Sequence, residues 1–186
     1  MSLSVLIPSY KEAENLEIII PKLLRSLQIL DTQYQILIVD SAISGDDTYS
    51  ICKKYKVDYI LREPGNSYGD AIRSGIKHAT EEYLIIMDAD GSHEPDFIRV
   101  LWKFRKDFDV VIASRYIKGG STENSKLLNI MSRILNITYR IILQLDCKDV
   151  SNSFKLYKSQ DLQSLNLLCD EFDLVEEILF KLKNFN

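Results

Sequence analysis

Near-continuous apolar runs return along the first two-thirds of this chain with helix-length gaps between them, and that recurrence limits what it can fold into. Ser4 to Ile7, Gln35 to Val39, Asp58 to Leu61, Tyr83 to Met87 and Val110 to Ala113 read as strands. A strand that is apolar at consecutive positions, without alternation, suits a sheet covered on both faces, and this spacing is that of βαβ units feeding a parallel sheet. The expectation is an α/β fold.

Helices fill the gaps. Glu12 to Leu30 has helical periodicity, and Pro21 should kink it or split it in two. Asp47 or Thr48 can cap a helix running to about Lys56, and Asp70 another running to Ala79. Glu94-Pro95 places a proline in the first turn of a helix through about Arg105, where its missing N–H does no harm. Beyond this the alternation stops. Asn124 to Leu145 reads as one long helix with Asn129, Arg133, Asn136, Arg140 and Gln144 on one stripe and apolar residues around most of the rest. An apolar arc that wide suits either a helix wedged between two layers or one lying in a membrane interface. A short strand near Ser153 to Tyr157 and an amphipathic helix from about Asp173 to Lys183 complete the chain.

With 186 residues, 46% of them hydrophobic, the chain can bury a core as one domain without disulfide or metal, which excludes disordered and low-complexity readings. Lys and Arg number 23 against 27 for Asp and Glu, a net charge of -4 that argues against nucleic acid as a partner. Cys52, Cys147 and Cys169 are odd in number and widely spaced, as expected of free thiols in a reducing compartment. The N-terminus lacks the pattern of a secretion signal, and no window holds the roughly 18 apolar residues of a spanning helix. A cytoplasmic protein is expected, or one attached peripherally to the cytoplasmic face of a membrane.

In open α/β sheets ligands bind beyond the carboxyl ends of the strands. Strand ends here carry Pro8-Ser9-Tyr10-Lys11-Glu12, Asp40, Asp88-Ala89-Asp90-Gly91 and Ser114-Arg115-Tyr116. Asp88 and Asp90 can turn toward one point and offer hard oxygen ligands to Mg²⁺ or Mn²⁺, or they can merely cap the helix that begins near Glu94. Asp40 can accept hydrogen bonds from a nucleobase or ribose, or cap a turn. The loop Glu63 to Asp70, with Gly69 near its end, leads into a helix N-terminus where backbone N–H groups can meet an anion. Arg115 and Lys118, before Gly119-Gly120, can neutralise phosphate or be solvated surface charge. His78 and His93 stand apart from each other and from the cysteines, so a metal site built on them is not expected. Glu176-Glu177 fits the solvated face of the last helix.

These motifs, in this order, resemble family 2 glycosyltransferases of the GT-A fold, in the branch of dolichyl-phosphate mannose synthases and polyprenyl-phosphate glycosyltransferases. The matching stretches are VLIPSYKEAENL at Val5 to Leu16, ILIVD at Ile36 to Asp40, REPGNSYGDAIRSGI at Arg62 to Ile76, IIMDADGSHEPDFI at Ile85 to Ile98, VIASRYIKGG at Val111 to Gly120 and DVSNSFKLY at Asp149 to Tyr157. The resemblance implies a single catalytic domain over 1–186, with a nucleotide-binding part to about 120 and an acceptor-side part from about 121. It implies that Pro8, Tyr10, Glu12 and Asp40 line the base and ribose, with Gly69, Asp88 and Ala89 also on the nucleotide-sugar. Asp88 and Asp90 would hold the metal, Arg115 would lie by the phosphates or the acceptor, and Asp149 near the reacting centre. Lys11, Ser41 and Ser92 replace the usual Asn, Asp and Gln, and Asn152-Ser153-Phe154-Lys155 replaces Ser-Gly-Phe-Arg.

The implied reaction is inverting displacement at the anomeric carbon of a GDP- or UDP-sugar, with a polyprenyl or dolichyl phosphate as acceptor. A phosphate monoester has a second pKa of about 6 and is a nucleophile without a strong base; a hydroxyl acceptor would need one, from Asp149, Glu176 or Glu177. Two other readings stand beside it: a scaffold of the same fold that has lost turnover, motivated by Lys11, Ser41 and Ser92, and an aspartyl phosphohydrolase of the haloacid dehalogenase type built on Asp88 and Asp90. The resembled family usually continues past the last helix, so a truncated chain or a minimal catalytic domain is expected, with room for a homo-oligomer or a membrane-protein partner.

Overall fold

The computed structural model describes residues 1–43, 45–117 and 126–185, with side chains except at 126–129 and 185. In chain order it runs β1 (Ser2–Ser9), α1 (Ala13–Ile29), β2 (Gln33–Asp40), α2 (Thr48–Tyr55), β3 (Asp58–Leu61), α3 (Tyr68–His78) and β4 (Tyr83–Ile86). A single 3-10 turn (Pro95–Phe97) then enters α4 (Ile98–Lys103), followed by β5 (Val110–Ile112), α5 (Lys126–Ile142), β6 (Lys155–Lys158), α6 (Ser159–Gln163) and α7 (Leu174–Phe185). The five strands expected in the first part are all present. Helix α6, short and largely polar, escapes the periodicity argument. Pro21 does not split α1, which is continuous through it.

The six strands form one sheet in the order β3-β2-β1-β4-β6-β5. β1 to β4 are mutually parallel, and β6 runs antiparallel to both of its neighbours, so the sheet is mostly parallel. Successive side chains of a strand point to opposite faces. Leu3, Val5 and Ile7 of β1 therefore pack under α1 and α4 with Leu16, Ile20, Leu23 and Trp102. Leu6, with Leu37 and Val39 of β2, packs under α3 and α7 with Ile72, Leu174 and Ile178. Both faces are covered, as continuous apolar runs require.

Local chemistry sets the helix starts. The N-cap of α3 is Ser67, three residues before the cap expected at Asp70. The Ser67 hydroxyl accepts from the Asp70 amide at 3.0 Å, and Asp70 accepts from the Ser67 amide at 3.0 Å, a reciprocal capping box. Asp47 makes no side-chain cap bond at α2; the neighbouring Asp46 serves two helices, accepting from Thr48 N at 3.2 Å and from Ala13 N at 3.1 Å.

The arc of α5 settles its position. Ile130, Met131, Ile134, Leu135, Ile137, Ile141 and Ile142 are between 46% and 71% exposed, so the helix is not wedged between two layers. Asn124 and residues to 125 lie outside the described residues, as do the side chains of Leu127, Leu128 and Asn129. Among the described residues no helix is long and apolar enough to cross a membrane.

Gly75 marks the closest approach of α3 to the sheet, since an added Cβ would overlap the side chain of Leu6, itself wholly buried. Alanine would gain about 1 kcal/mol in helix propensity, but overpacking costs about 1–3 kcal/mol. Gly75→Ala is expected to lower the urea midpoint of unfolding; a midpoint that rises would show that Leu6 can move aside.

Candidate active site

The chain crosses β1 between β3 and β4, so β1 and β4 are neighbours whose connections leave in opposite directions, the arrangement that opens a crevice at the carboxyl edge of a sheet. A cleft of about 390 Å³ lies there, lined by Pro8, Ser9, Tyr10, Glu12, Arg62, Asn66, Tyr68, Asp88, Ala89, Asp90 and Phe172. Five of the seven residues expected at a nucleotide-sugar line this one cleft, Pro8, Tyr10, Glu12, Asp88 and Ala89, together with Asp90, expected at the metal.

Met87 directly follows β4, its N–H still donating to the Leu6 carbonyl at 2.9 Å, and the two carboxylates come next as the chain leaves the sheet. Asp88 Oδ2 accepts from the Ser153 hydroxyl at 2.6 Å, while Oδ1 is buried with no hydrogen-bond partner among the described residues. The Asp88 amide donates to His93 Nδ1 at 3.0 Å, which leaves the imidazole proton on Nε2, 3.7 Å from Asp88 Oδ2. His93 stacks on Phe154 with ring centroids 4.8 Å apart, and burial pulls its pKa down, in keeping with a neutral ring that accepts an N–H. It is thus part of the Asp88 loop, a role that its distance in sequence from His78 and the cysteines does not indicate. Asp90 is exposed. Partial burial works against its charge, but the amide and hydroxyl of Ser92 outweigh this and hold the carboxyl below the usual range. Ser92 therefore orients Asp90. Gly91 between them has φ of 84°, a turn a side chain would strain.

The donors here suit a hard divalent cation: an orphaned buried carboxylate oxygen and an ionised carboxylate two residues on. Among the described residues no group of three or more His, Cys, Asp or Glu could hold a metal by itself. Asp88 and Asp90 would have to share the ion with oxygens of a ligand and of water.

Three further polar atoms of the lining are buried without partners among the described residues: Ser9 Oγ, Arg62 Nε and Tyr68 OH. Arg62 follows β3 directly, at an early strand end where the sequence marks no candidate ligand contact. Its guanidinium donates to the carbonyls of Asn66 and Ser67, both at 3.2 Å, and to that of Ser9, joining the end of β1 to the loop before α3. Tyr68 stacks on Phe172 at 4.5 Å, and together they form an aromatic wall. Phe172 lies in a loop without motif, so only the fold brings it here.

Two expected ligand contacts fall elsewhere. Asp40 is wholly buried and outside the lining, its carboxylate accepting from Ser41 N at 2.7 Å and from the Tyr59 hydroxyl at 3.2 Å. Gly69 is also outside the lining: its N–H donates to the Asp170 carbonyl at 2.7 Å, and a Cβ there would overlap the Cys169 carbonyl. The start of α3 already holds the Asp70 carboxylate, so an anion finds that N-terminus occupied.

Arg115 and Asp149 meet as a pair. Arg115 donates Nε and Nη2 to the two oxygens of Asp149 at 3.0 and 2.8 Å, and its amide donates to Oδ2 at 2.8 Å. Asp149 is wholly buried, so it anchors Arg115 instead of standing ready as a base. Lys118, Gly119 and Gly120 lie outside the described residues. The expectation of a solvated Glu176-Glu177 is overturned: Glu176 is 8% exposed, and Glu177 accepts from the amides of Leu168 and Cys169 while pairing with Lys181 at 2.6 Å. Lys155 is wholly buried and donates to the Val150 carbonyl at 2.8 Å. Burial pulls its pKa down to about 7 against the opposing pull of Glu176, Cys147 and Asp149.

The family described as Glycosyl transferase family 2 matches residues 4–165. A dolichol-phosphate mannosyltransferase of Pyrococcus furiosus is 32% identical over 97% of this chain and 53% of its own length. The chain spans about half the length of the curated relatives it matches. Among solved structures, glucosyl-3-phosphoglycerate synthase from Mycobacterium tuberculosis with Mn²⁺, UDP and phosphoglyceric acid superposes with a TM-score of 0.75 at 17% identity, over 99% of this chain and 64% of that one. The same enzyme with Mn²⁺, UDP-glucose and phosphoglyceric acid also gives 0.75, at 16% identity, over 99% and 65%. The fold is GT-A.

The buried lysine yields a pH dependence with a definite sign. Between about 7 in the folded state and about 10.4 when unfolded, the unfolded chain binds more protons at Lys155, so stability contributed there rises with pH. The thiols of Cys52, Cys147 and Cys169 and the buried hydroxyl of Tyr157, whose pKa values are raised chiefly by burial, act in the opposite sense at higher pH. Wild-type unfolding free energy is expected to rise from about pH 7 to 8.5 relative to Lys155→Met; parallel pH profiles for the two proteins would refute it.

Proposed function

The chain belongs to glycosyl transferase family 2, and we propose that it moves a sugar from a nucleoside-diphosphate donor in the β1/β4 cleft to a polyprenyl phosphate at a membrane surface. The observation that carries this reading is the set of unpartnered buried polar atoms around one cleft: Ser9 Oγ, Arg62 Nε, Tyr68 OH and Asp88 Oδ1. A buried polar atom left unpaired costs about 1–3 kcal/mol, and four in one cleft are accounted for by a polar ligand that satisfies them. Asp88 and Asp90 would hold Mg²⁺ or Mn²⁺, which when bound neutralises charge on a diphosphate leaving group. Solved relatives of this fold with Mn²⁺ or Mg²⁺ and UDP support that assignment. Residues up to about 120 form the donor side in this reading, and the remainder the acceptor side.

The commitments of the carboxylates support a phosphate acceptor. Asp149 is bound by Arg115, Glu176 is buried, and Glu177 holds the 168–169 loop, which disfavours all three as a general base for a hydroxyl. A phosphate monoester needs none, being mostly a dianion at neutral pH. One of its oxygens forms the new bond to the anomeric carbon, the bond to the donor diphosphate breaks, and the diphosphate leaves with the electron pair, inverting that carbon. Ser92 keeps Asp90 ionised, Ser153 and His93 fix the Asp88 loop, and Arg115 stays cationic through its bond to Asp149. Likeness to a dolichol-phosphate mannosyltransferase supports the lipid phosphate. The phosphohydrolase reading falls away, since the matched family spans Asp88 and Asp90 within a larger common fold.

Membrane contact is assigned to α5. Its exposed apolar face lies on a helix that has no acidic residue from Lys126 to Ile142 but includes Arg133 and Arg140, in a chain of net charge -4. That combination suits an anionic headgroup layer.

Two experiments test these assignments. UDP- and GDP-sugars are expected to raise the thermal midpoint only with Mn²⁺ or Mg²⁺, and Asp88→Asn or Asp90→Asn to weaken binding at least about tenfold. Absence of metal-dependent binding across the donor panel would reject the transferase, and binding without transfer to a polyprenyl phosphate would favour the scaffold. Sedimentation with phosphatidylglycerol vesicles is expected for the wild type and reduced for Ile134→Glu and Ile137→Glu; wild-type protein left in the supernatant would reject the membrane assignment.

A further inference from the structure

We propose that Asn136, on the polar stripe of α5, is a positioning residue that fixes the Arg115–Asp149 pair. Its side chain is 2% exposed and its amide is fully used. Oδ1 accepts from Val150 N at 2.6 Å and Ser151 N at 3.2 Å, and Nδ2 donates to Ser151 Oγ at 3.1 Å and to the Ser132 carbonyl of its own helix at 2.9 Å. The segment it grips is the one Arg115 binds: Arg115 Nη2 reaches both Asp149 Oδ1, at 2.8 Å, and Ser151 Oγ, at 3.2 Å. Lys155 holds the same segment from the sheet through the Val150 carbonyl. Tyr116, next to Arg115, donates to Ser132 Oγ at 2.6 Å, so a second bond ties the same turn of α5 to the strand end.

Residues 149–151 are therefore held in a clamp whose jaws are α5 and β6, and Arg115 takes its direction from that clamp. Without the Asn136 amide, the N–H groups of Val150 and Ser151 lose their side-chain acceptor, and Asp149 loses the neighbour that fixes its backbone. The donor cleft shares no lining residue with this network. Asn136 should affect transfer without affecting donor binding.

The turnover arm of the test rests on the proposed transfer reaction, and the labelling arm does not. Site-resolved phenylglyoxal modification of Arg115, read by mass spectrometry on the full chain, is expected to quicken several-fold in Asn136→Ala. An unchanged rate overturns the proposal. In turnover, Asn136→Ala is expected to lower kcat about tenfold with the KM for the nucleotide-sugar held within about twofold. That loss should vanish in an Arg115→Lys background, because a residue acting through another has nothing left to position; additive losses overturn the proposal. Asn136→Asp keeps both acceptor contacts and loses the donations to the Ser132 carbonyl and Ser151 Oγ, so labelling is expected between wild type and Asn136→Ala, and it serves if the alanine variant does not fold. If the wild type turns over no donor, the transfer reading fails and the labelling rates still decide the role of Asn136.

Discussion

The rest of the structure depends on β1 being buried on both faces and paired on both edges. Its side chains are divided between two cores, and its hydrogen bonds between β2 and β4. A strand held so completely cannot shift register without moving every apolar side chain to the wrong face. Its carboxyl end is thus a fixed point. Arg62 grips the Ser9 carbonyl there, and Met87 extends the β4 ladder to the Leu6 carbonyl before Asp88 turns out. The cleft is rigid on that side because the sheet is, and just beyond the strand the carboxylates are held by Ser153, His93 and Ser92.

Against that rigid edge stands a group of costly polar arrangements. Arg62, Asp149, Lys155 and Glu176 are all nearly or wholly buried. Each would destabilise a core alone, and each has a charged neighbour or a carbonyl partner. Such groups cluster where a protein handles charged ligands, and these surround the carboxyl edge of the sheet rather than scattering through the two cores.

The strands were legible because a strand buried on both faces leaves an unmistakable apolar run, and the Asp88-Asp90 pair because it ends one. What the sequence withheld was partnership across distance. Nothing local to Asp40 shows that the Tyr59 hydroxyl will cover it, nothing near Gly69 that Asp170 will take its amide, and nothing in Glu176 that α7 will turn it inward. Arg115 and Asp149 were both picked out from the resemblance, yet that each is the other's partner is a fact of tertiary structure. His93 stands apart from His78 and the cysteines and is not expected to hold a metal, whereas its use is to receive a backbone N–H from five residues earlier. The exposure of α5 was ambiguous for a related reason: an apolar arc records what a helix will touch, not whether the partner belongs to the same chain.

The contact between Gly69 and Asp170 sets a boundary. It fastens the loop before α7 to the start of α3, and through it Phe172 comes to stack on Tyr68 as a wall of the cleft. The family match covers residues 4–165, so Tyr68 lies within it and Phe172 joins the wall from a segment beyond it. Relatives with a different segment at that place would keep the carboxylates and the sheet while presenting another surface to the ligand. Diversification of specificity could then proceed in a stretch that carries no motif, leaving the edge that bears the carboxylates untouched.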